Sequence, residues 1–380
     1  MSEMISVNKV DVGINSSLPS DKVTWATGRN VRFTPGYVSK TLGKSVLGKL
    51  FYPSLPIRSI FSFSAFDGTI YNVICTDAKT FAADELYTTF TNITPSSAPG
   101  GGVLDIWDCC IVAGLPILTN GKDTMLKWTS ASAILSPMTH GVVAKNISNC
   151  MHQLVCSNIV EDGYTYTGRV RWMERGNPEN STIDTSKKSG YQDLTTYENG
   201  YSVQENIIAQ VSEGSSTYFF TEKNVWLCDF SQSTKSFVII DNDFKLLTKK
   251  SVCVYQGVVY ALEKRDIYKF SKGQGKVPIG LPIRTELFTN LNASGSVYAF
   301  CFPMYNTKEI WFCVSTTNAQ PNTAYVYNWE LDCWSICDCT FICHAFYENS
   351  TNNALIGDVV GDLYSTIYQM DSGFDQNTAA

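Results

Sequence analysis

The densest group of potential metal ligands in the 380-residue sequence is Cys333, Cys337, Cys339, Cys343 and His344. By count, these side chains could supply the ligands of a structural zinc site. Such sites usually pair cysteines about two to four residues apart on tight loops. Here the cysteines occupy a strand-like run, in which the outer two would lie more than about 30 Å apart. We therefore predict buried thiols on a sheet face and no metal ligand.

Side chains that could serve catalysis are few and scattered. The histidines are His140, His152 and His344. None of them stands near a serine or cysteine in a nucleophile pattern such as Gly-x-Ser-x-Gly. A glycan-cleaving enzyme needs paired carboxylates, and the candidates are Asp105, Asp108, Glu174 and Glu222. Because such residues commonly lie in turns or at solvated edges, we predict no catalytic residue and no cofactor.

Three other patterns match ligand-binding loops only in part. The glycine-rich residues 100–102 and 273–276 lack the Gly-Lys-Ser/Thr sequence that cradles phosphate. Asp241-Asn242-Asp243 begins like a calcium loop, but no glycine follows at the sixth position and no glutamate closes it. The adjacent Cys109 and Cys110 would point to opposite faces of a strand and could not chelate together. We expect these segments to be loops and core packing.

The composition excludes several classes of protein. No run of eighteen or more apolar residues is present that would span a bilayer, and the first residues lack the pattern of a secretory signal. Thirteen cysteines are about three per cent of the chain, too few for a disulfide scaffold. The net charge of −6 and the absence of a basic run argue against tight DNA binding. A weakly acidic wall would let a polyanion pass with little adhesion.

The chain is predicted to be almost entirely β. It has 20 Tyr, 20 Phe and 8 Trp but hardly any apolar residues at helical spacing. Strand-like runs separated by turn residues occur at 57–66, 70–76, 103–113, 217–230, 252–262, 297–314, 324–336 and 341–347. Similar units recur every 40–50 residues or so, the spacing of four-stranded propeller blades. We predict a single β-propeller of about six blades over residues 1–380; a pair of β-sandwiches is the alternative.

Three segments depart from the repeat. Residues 26–40 predict an N-terminal hairpin, because Thr34-Pro35-Gly36 supplies turn chemistry between two extended stretches. Residues 164–201 are longer and more polar than the other intervals and predict a loop-rich insertion within a blade. Residues 95–102 resemble a linker, which we expect to connect two blades.

Arginines and tryptophans near the hairpin and the polar interval are the candidate interface residues. The arginines are Arg29, Arg32, Arg169, Arg171 and Arg175. A guanidinium group can bind a carboxylate with two hydrogen bonds, so we expect them to pair with acidic residues of the next blade or subunit. Trp172 and Trp334 are predicted to wedge between blades. The interface prediction is therefore Arg29, Arg32, Arg171, Trp172 and Trp334.

Three sequence stretches in this order resemble the tail hub or nozzle proteins of short-tailed bacteriophages, the family related to tail tubular protein B. The first is Arg29-Asn30-Val31-Arg32-Phe33, with Gly36-Tyr37-Val38 and Lys40. The second is Val170-Arg171-Trp172-Met173, with Gly176-Asn177-Pro178-Glu179 and Gly190-Tyr191-Gln192-Asp193-Leu194. The third is Val326-Tyr327-Asn328-Trp329-Glu330, with Cys333-Trp334-Ser335 and the closing hairpin at 357–364. Met173 departs from the family, in which serine is usual.

The resemblance implies a structural virion protein of the phage tail, made in the host cytoplasm without a membrane anchor. Such a propeller assembles as a homohexameric ring beneath the portal and its adaptor and contacts tail fibre or needle proteins. The lumen of the ring continues the DNA channel, retains the packaged genome, and later passes genomic DNA without binding it specifically. Two alternatives remain: a carbohydrate- or receptor-binding propeller with aromatic residues exposed on one rim, and a glycan-cleaving propeller enzyme.

Overall fold

The computed structural model describes residues 13–15, 25, 28–50, 57–64, 69–97, 99–102, 105–184, 189–317, 320–339, 343–346, 354–359 and 365–371. Almost all of the regular secondary structure in this part of the chain is β-strand. The exceptions are one short α-helix, α1 (Arg284–Asn290), and one 3-10 turn at Ser296–Tyr298. Neither helix is long or apolar enough to cross a membrane.

The strands are arranged in order along the chain, beginning with a hairpin and a single strand. These are β1 (Val31–Thr34), β2 (Tyr37–Lys40) and β3 (Lys44–Leu50). Blade 1 consists of β4 (Ile57–Ser64), β5 (Ile70–Thr76), β6 (Thr80–Ala83) and β7 (Phe90–Asn92). Blade 2 consists of β8 (Asp108–Val112), β9 (Leu115–Thr119), β10 (Leu126–Lys127) and β11 (Ser136–Pro137). Blade 3 consists of β12 (Val143–Cys150), β13 (Gln153–Glu161), β14 (Tyr164–Trp172) and β15 (Gly190–Asp193).

The second half of the chain continues the same pattern. A separate hairpin of β16 (Thr195–Glu198) and β17 (Tyr201–Gln204) follows blade 3. Blade 4 consists of β18 (Ile207–Glu213), β19 (Ser216–Thr221), β20 (Val225–Asp229) and β21 (Phe237–Asp241). Blade 5 consists of β22 (Val252–Tyr255), β23 (Val258–Leu262), β24 (Ile267–Ser271) and β25 (Val277–Pro278). Blade 6 consists of β26 (Phe300–Met304), β27 (Glu309–Val314), β28 (Thr323–Asn328) and β29 (Cys333–Asp338). The last strands are β30 (Cys343–Phe346), β31 (Ala354–Val359) and β32 (Ser365–Met370).

The two ends of the chain meet in one sheet. Each of the six blades above is a four-stranded antiparallel meander, and blade 7 has the order β3-β32-β31-β30. The early strand β3 pairs with β32 near the C-terminus and thereby completes the last blade. The predicted all-β propeller is thus confirmed. Six of its sheets consist of consecutive strands, and a seventh joins both ends of the chain.

Apolar residues pack between neighbouring blades and close the ring. The first strands of neighbouring blades adjoin around the centre, for example β8 with β12, β18 with β22 and β30 with β4. An apolar cluster lies between each pair of neighbouring blades, including blades 7 and 1. Middle strands such as β19 and β28 are therefore buried on both faces. This explains their continuous runs of apolar and aromatic residues, because a strand between two layers has no face toward water.

The polar interval 164–201 differs from the expected loop-rich insertion. It contains β14 and β15, two strands of blade 3, and the strand β16. Only the connection between β14 and β15 is irregular in its described residues. The polar sequence suggested loops because β15 to β17 are largely exposed and carry few buried apolar side chains, so they lack the apolar alternation of a half-buried strand. Residues 95–102 lie between blades 1 and 2.

We predict that Gly168→Ala destabilises the protein by about 1–3 kcal/mol, because overpacking forces the backbone to shift. A Cβ atom at Gly168 would lie 2.6 Å from the Glu205 carbonyl oxygen and 2.8 Å from that of Leu194. Gly275→Ala is the matched control, since a Cβ atom there meets nothing within 4 Å. Urea unfolding followed by tryptophan fluorescence measures both variants. Equal midpoints for the two would contradict the predicted clash.

Candidate functional site

The most buried ionic group in the described structure centres on Arg32. Its Nε donates to Glu309 Oε1 at 2.7 Å, and its Nη2 donates to Glu309 Oε2 at 3.2 Å. Its Nη1 donates to Asp371 Oδ1 at 2.7 Å. Burial by itself lowers the pKa of Arg32, but the two carboxylates outweigh it and raise that pKa above its ordinary value. We call Arg32, Glu309 and Asp371 the closure triad.

The closure triad joins three distant parts of the chain. Arg32 lies on the N-terminal hairpin, Glu309 begins β27 of blade 6, and Asp371 directly follows β32 of blade 7. Glu309 Oε2 also accepts hydrogen bonds from Thr307 Oγ1 at 2.8 Å and Trp311 Nε1 at 3.1 Å. A buried carboxylate with this many donors is held in one position. The triad therefore fixes the last two blades and the hairpin relative to one another.

The segment before the hairpin covers the outer edge of blade 6. Asn30 N donates to Ile336 O at 2.8 Å, and Ile14 N donates to Trp334 O at 2.8 Å. Asp338 accepts hydrogen bonds from Asn30 Nδ2 at 2.7 Å and Arg29 Nη1 at 2.6 Å. The Arg29 side chain is about half exposed, so its ion pair contributes little to stability. The backbone bonds occupy an edge that would otherwise be open to another strand.

The two predicted tryptophans both lie between blades. Trp334 Nε1 donates to Ile279 O of the segment that follows blade 5, at 2.8 Å, and its ring packs against Tyr327 with centroids 5.1 Å apart. Trp172 of blade 3 packs edge-on against Phe230, which follows β20 of blade 4, at 6.0 Å. Phe237 of blade 4 contacts the same ring.

The arginines of blade 3 bond within their own blade, not with the next one. Arg169 makes two hydrogen bonds to Asp193, at 2.7 and 2.8 Å, and its guanidinium lies over the rings of Tyr166 and Tyr191. Arg171 is buried, bonds to Glu161 Oε1 at 3.2 Å and donates to the Ser181 carbonyl oxygen. Arg175 is exposed.

A second ionic cluster spans the central channel of the propeller. Asp108 at the start of blade 2 accepts bonds from Lys249 at 2.9 Å and Lys250 at 2.5 Å, both of which precede blade 5. Lys249 also donates to the Lys145 carbonyl oxygen of blade 3. Because blades 2 and 5 are not neighbours, these contacts cross the axis at the end where the first strands begin. We call Asp108, Lys249 and Lys250 the axial cluster.

The axial cluster is an ion pair shielded from water. Burial by itself raises the pKa of Asp108, but Lys249 and Lys250 outweigh it and hold that pKa below its ordinary value. Burial lowers the pKa of Lys249, and Asp108 only partly offsets this effect. The cluster thus connects blades 2 and 5 through one carboxylate that is shared by two ammonium groups.

The other candidate carboxylates do not form a catalytic pair. Asp105 accepts a hydrogen bond from Gly102 N at 2.9 Å, Glu174 from Asn180 Nδ2 at 2.8 Å, and Glu222 from Asn206 Nδ2 at 2.7 Å. The three residues belong to three different loops. Such bonds to neighbouring loop groups are typical of carboxylates that shape turns.

No group of three or more His, Cys, Asp and Glu side chains in the described part of the chain could hold a metal ion. Cys333 packs in the cluster between blades 5 and 6, whereas Cys337 and Cys339 pack between blades 6 and 7. The side chains of Cys343 and His344 lie outside the described set. In the segment that begins like a calcium loop, the Asp241 carboxylate pairs with the ammonium group of Lys276, with Nζ and Oδ2 3.2 Å apart.

Several tyrosines are exposed on and beside the β16–β17 hairpin, which sequence reasoning did not single out. The exposed fractions are 81% for Tyr197 and 76% for Tyr201. Tyr164 and Tyr191 of blade 3 are also exposed. A two-stranded hairpin with this little buried surface is only marginally stable by itself. The only sequence signal was the tyrosine content of residues 191–201.

Comparisons with known proteins identify the fold alone. No protein-family model matches the sequence, and no curated protein matches it. Among solved structures, the chain is similar to the Pan2 WD40 domain of Neurospora crassa, with a TM-score of 0.52 and 10% identity, covering 90% of this chain and 99% of that one. It is also similar to the AfRom2 CNH domain, with a TM-score of 0.51 and 11% identity over 87% of this chain and 99% of that one.

A third similar structure is BBS1N in complex with ARL6DN. Its TM-score is 0.52 at 12% identity, covering 87% of this chain and 97% of that one. At these identities the likeness supports the propeller architecture and carries no residue roles.

We predict that Arg32→Met destabilises the protein by about 3–5 kcal/mol, because it leaves Glu309 and Asp371 without their cation in a buried site. Lys272→Met is the matched control. It removes a 2.6 Å ion pair with Asp229, in which the lysine is half exposed, and should change stability by about 1 kcal/mol or less. Chemical unfolding measures both, and equal losses would contradict the role of the closure triad.

We predict a decrease in stability from pH 6.5 toward pH 4 that depends on His140. The pKa of His140 is lowered to about 4, chiefly by burial; Glu179 opposes the shift, and Arg171 and Lys127 contribute to it. Because the unfolded chain takes up this proton near its ordinary pKa of 6.5, the folded state loses at most about 3 kcal/mol across this window. Above pH 6.5 the contribution of neutral His140 to the free energy of unfolding is fully present.

His140→Asn tests this prediction, because an asparagine oxygen can replace the ring nitrogen that accepts from Val142 N at 3.1 Å. Its unfolding free energy should depend less on pH between 6.5 and 4 than that of the wild type. Parallel curves for His140→Asn and the wild type would rule out the histidine as the source.

Proposed function

We propose that this chain is a structural protomer of a short-tailed phage tail, a hub or nozzle that assembles as a ring of six below the portal and adaptor. One observation carries the proposal. The residues Arg29 to Phe33, the first of the three stretches that resemble that family, lead into and begin the hairpin whose Arg32 links blades 6 and 7 through the closure triad. A rigid closure built from internally paired charges is expected of a scaffold, which needs no catalytic group.

The axial cluster favours a DNA path between protomers. Asp108, Lys249 and Lys250 join blades 2 and 5 by ion pairs across one end of the propeller's own axis. A duplex would therefore pass through the lumen enclosed by several copies, and a head-to-tail contact that closes on itself produces such a ring. The net charge of −6 is compatible with a wall along which DNA slides without specific binding.

Electron microscopy without imposed symmetry tests the proposal. The purified protein is imaged alone and after mixing with its virus's portal–adaptor complex. We expect six-fold rings that cap the adaptor. Single discs that never engage the adaptor would overturn the tail assignment.

A carbohydrate- or receptor-binding propeller is the second candidate, because Tyr164 and Tyr191 of blade 3 and Tyr197 and Tyr201 of the β16–β17 hairpin are exposed. Aromatic rings exposed in this way can stack on sugar rings or on a protein surface. Glycan-array binding that is lost in Tyr197→Ala and Tyr201→Ala, together with single discs in the microscope, would favour this candidate over the nozzle.

A further inference from the structure

Cys253, on the first strand of blade 5, lies in the layer between blades 5 and 6. Strand β22 directs Val252 and Val254 into the apolar cluster between blades 4 and 5, whereas Cys253 and Tyr255 pack against the cluster between blades 5 and 6. This division follows from the alternation of side chains across a strand. The Cys253 side chain therefore points toward blade 6.

Cys301, on the first strand of blade 6, enters the same layer from the other side. Strand β26 directs Phe300 and Phe302 into the cluster between blades 6 and 7, whereas Cys301 packs in the cluster between blades 5 and 6. The two first strands, β22 and β26, adjoin each other. Their cysteines thus face each other across one layer between two blades.

Contacts near both ends hold the two strands side by side. Cys301 N donates to Lys250 O at 2.9 Å just before β22 begins. Where the strands end, the rings of Tyr255 and Tyr305 have centroids 5.0 Å apart. Cys253 lies between these two contacts along the chain, and its thiol is in hydrogen-bond contact with that of Cys301. Both cysteines are unbridged thiols.

We propose that Cys253 and Cys301 form a disulfide bond under oxidising conditions and thereby link blades 5 and 6 covalently. These two blades have the longest connection of any consecutive pair in the propeller, residues 279–299, which contains α1 and the 3-10 turn. A cross-link stabilises a protein mainly by restricting its unfolded chain, and more so when the enclosed loop is long. The bond would therefore fasten the ring where the chain itself holds the blades together least directly.

Hydrogen peroxide is the simplest oxidant for this reaction. One of its oxygen atoms is transferred to Cys253 Sγ, the O–O bond breaks, and water leaves, so that a sulfenic acid is formed. The Cys301 sulfur then attacks the Cys253 sulfur and the S–O bond breaks. The departing hydroxide takes the Cys301 thiol proton and leaves as a second water. Two thiols and one peroxide thus give one disulfide and two waters.

Burial determines which of the two cysteines reacts first. Cys253 is partly exposed, whereas Cys301 is buried. Burial raises the pKa of the Cys301 thiol well above its ordinary value, and the contact with Cys253 raises it further. Because the thiolate is the reactive form of cysteine, Cys301 is protected from direct oxidation and acts as the resolving thiol. In a reducing cytosol the pair stays reduced.

A second pair of cysteines in contact lies within a single blade. The thiols of Cys313 and Cys339 are also in hydrogen-bond contact. Cys313 belongs to β27 and Cys339 follows β29, and strand β28 lies between these two strands. Strands two positions apart in a sheet are separated by about 10 Å. This exceeds the separation of roughly 7 Å over which two Cα atoms can be bridged.

Two further pairs share a layer between blades but are bonded elsewhere. Cys150 and Cys228 lie in the cluster between blades 3 and 4, where Cys150 Sγ donates to Gly214 O at 3.8 Å. Cys110 and Cys156 lie between blades 2 and 3, where Cys156 Sγ donates to Met125 Sδ at 3.7 Å. These comparisons assign the disulfide to Cys253 and Cys301.

Mass spectrometry of the purified full chain tests the proposal. The folded protein is reduced, separated from the reductant, treated with hydrogen peroxide, and then unfolded in the presence of an alkylating agent. The oxidised chain should accept two alkyl groups fewer than the thirteen cysteines of the reduced chain. Proteolysis without reductant should release one linked peptide pair that contains Cys253 and Cys301.

Cys253→Ala and Cys301→Ala should each abolish the linked peptide pair. Cys228→Ala is the matched control, because Cys228 is also buried between two blades and its replacement should leave the pair unchanged. Urea unfolding verifies that the reduced variants fold. The oxidised wild type should unfold at a higher urea concentration than the reduced wild type, and Cys253→Ala should show no such difference after peroxide treatment.

Three outcomes would overturn the proposal. The first is alkylation of all thirteen cysteines in the peroxide-treated wild type. The second is oxidation of Cys253 to a sulfinic acid while Cys301 remains a thiol, which would show that the two sulfur atoms do not meet. The third is a disulfide between other cysteines in place of this one.

The disulfide is independent of the ring assembly of the proposed function. Six-fold rings that Cys253→Ala forms on the adaptor would leave the nozzle proposal intact. A linked peptide pair in a protein that forms only single discs would support the disulfide and overturn the nozzle assignment.

Discussion

The structure depends on how a closed ring of sheets is fastened where the chain begins and ends. In a propeller the last blade is completed by a strand from the other end of the chain, here β3 beside β32. The Arg32 guanidinium adds a buried link beside this junction, because it bonds blade 6 through Glu309 and the end of blade 7 through Asp371. Removing one partner of such a group leaves an uncompensated buried charge. The ring is therefore held by a buried ion-pair network where the N-terminal hairpin meets blades 6 and 7, in addition to apolar packing.

Apolar packing between the blades supplies the general stability, whereas the ionic groups fix the positions of particular blades relative to one another. Large aromatic side chains such as Trp311, Trp334 and Phe312 are almost completely buried, and each such side chain contributes a few kcal/mol through burial, of order 1.5–3. The axial cluster and the closure triad are found where sheets cannot interlock by packing alone: at the open axis and at the chain ends. In both groups every charged side chain has a partner of opposite charge.

The outer strands of the blades differ in how their free edges are protected. The outer strands β11 and β25 end in proline, β3 carries two lysines and β29 is covered by the N-terminal segment, whereas β21 has an irregular register at Ile240 and three partly exposed aliphatic residues. The tyrosine-bearing hairpin β16–β17 lies in the connection between blades 3 and 4 and meets blade 4 through the ion pair of Glu198 with Lys223.

The sequence by itself determined the β-class, the repeat of four-stranded units and the burial of Trp172 and Trp334, because alternation, turn residues and aromatic content are local properties. It did not determine that β14 and β15 belong to blade 3, since polar exposed strands resemble loops. Nor did it identify Glu309, Asp371, Lys249 or Lys250, although a glutamate that begins the apolar run of β27 was a visible signal. Arg32 and Glu309 are 277 positions apart. Only closure of the ring brings such residues together, and the tertiary structure therefore decided which charges are paired.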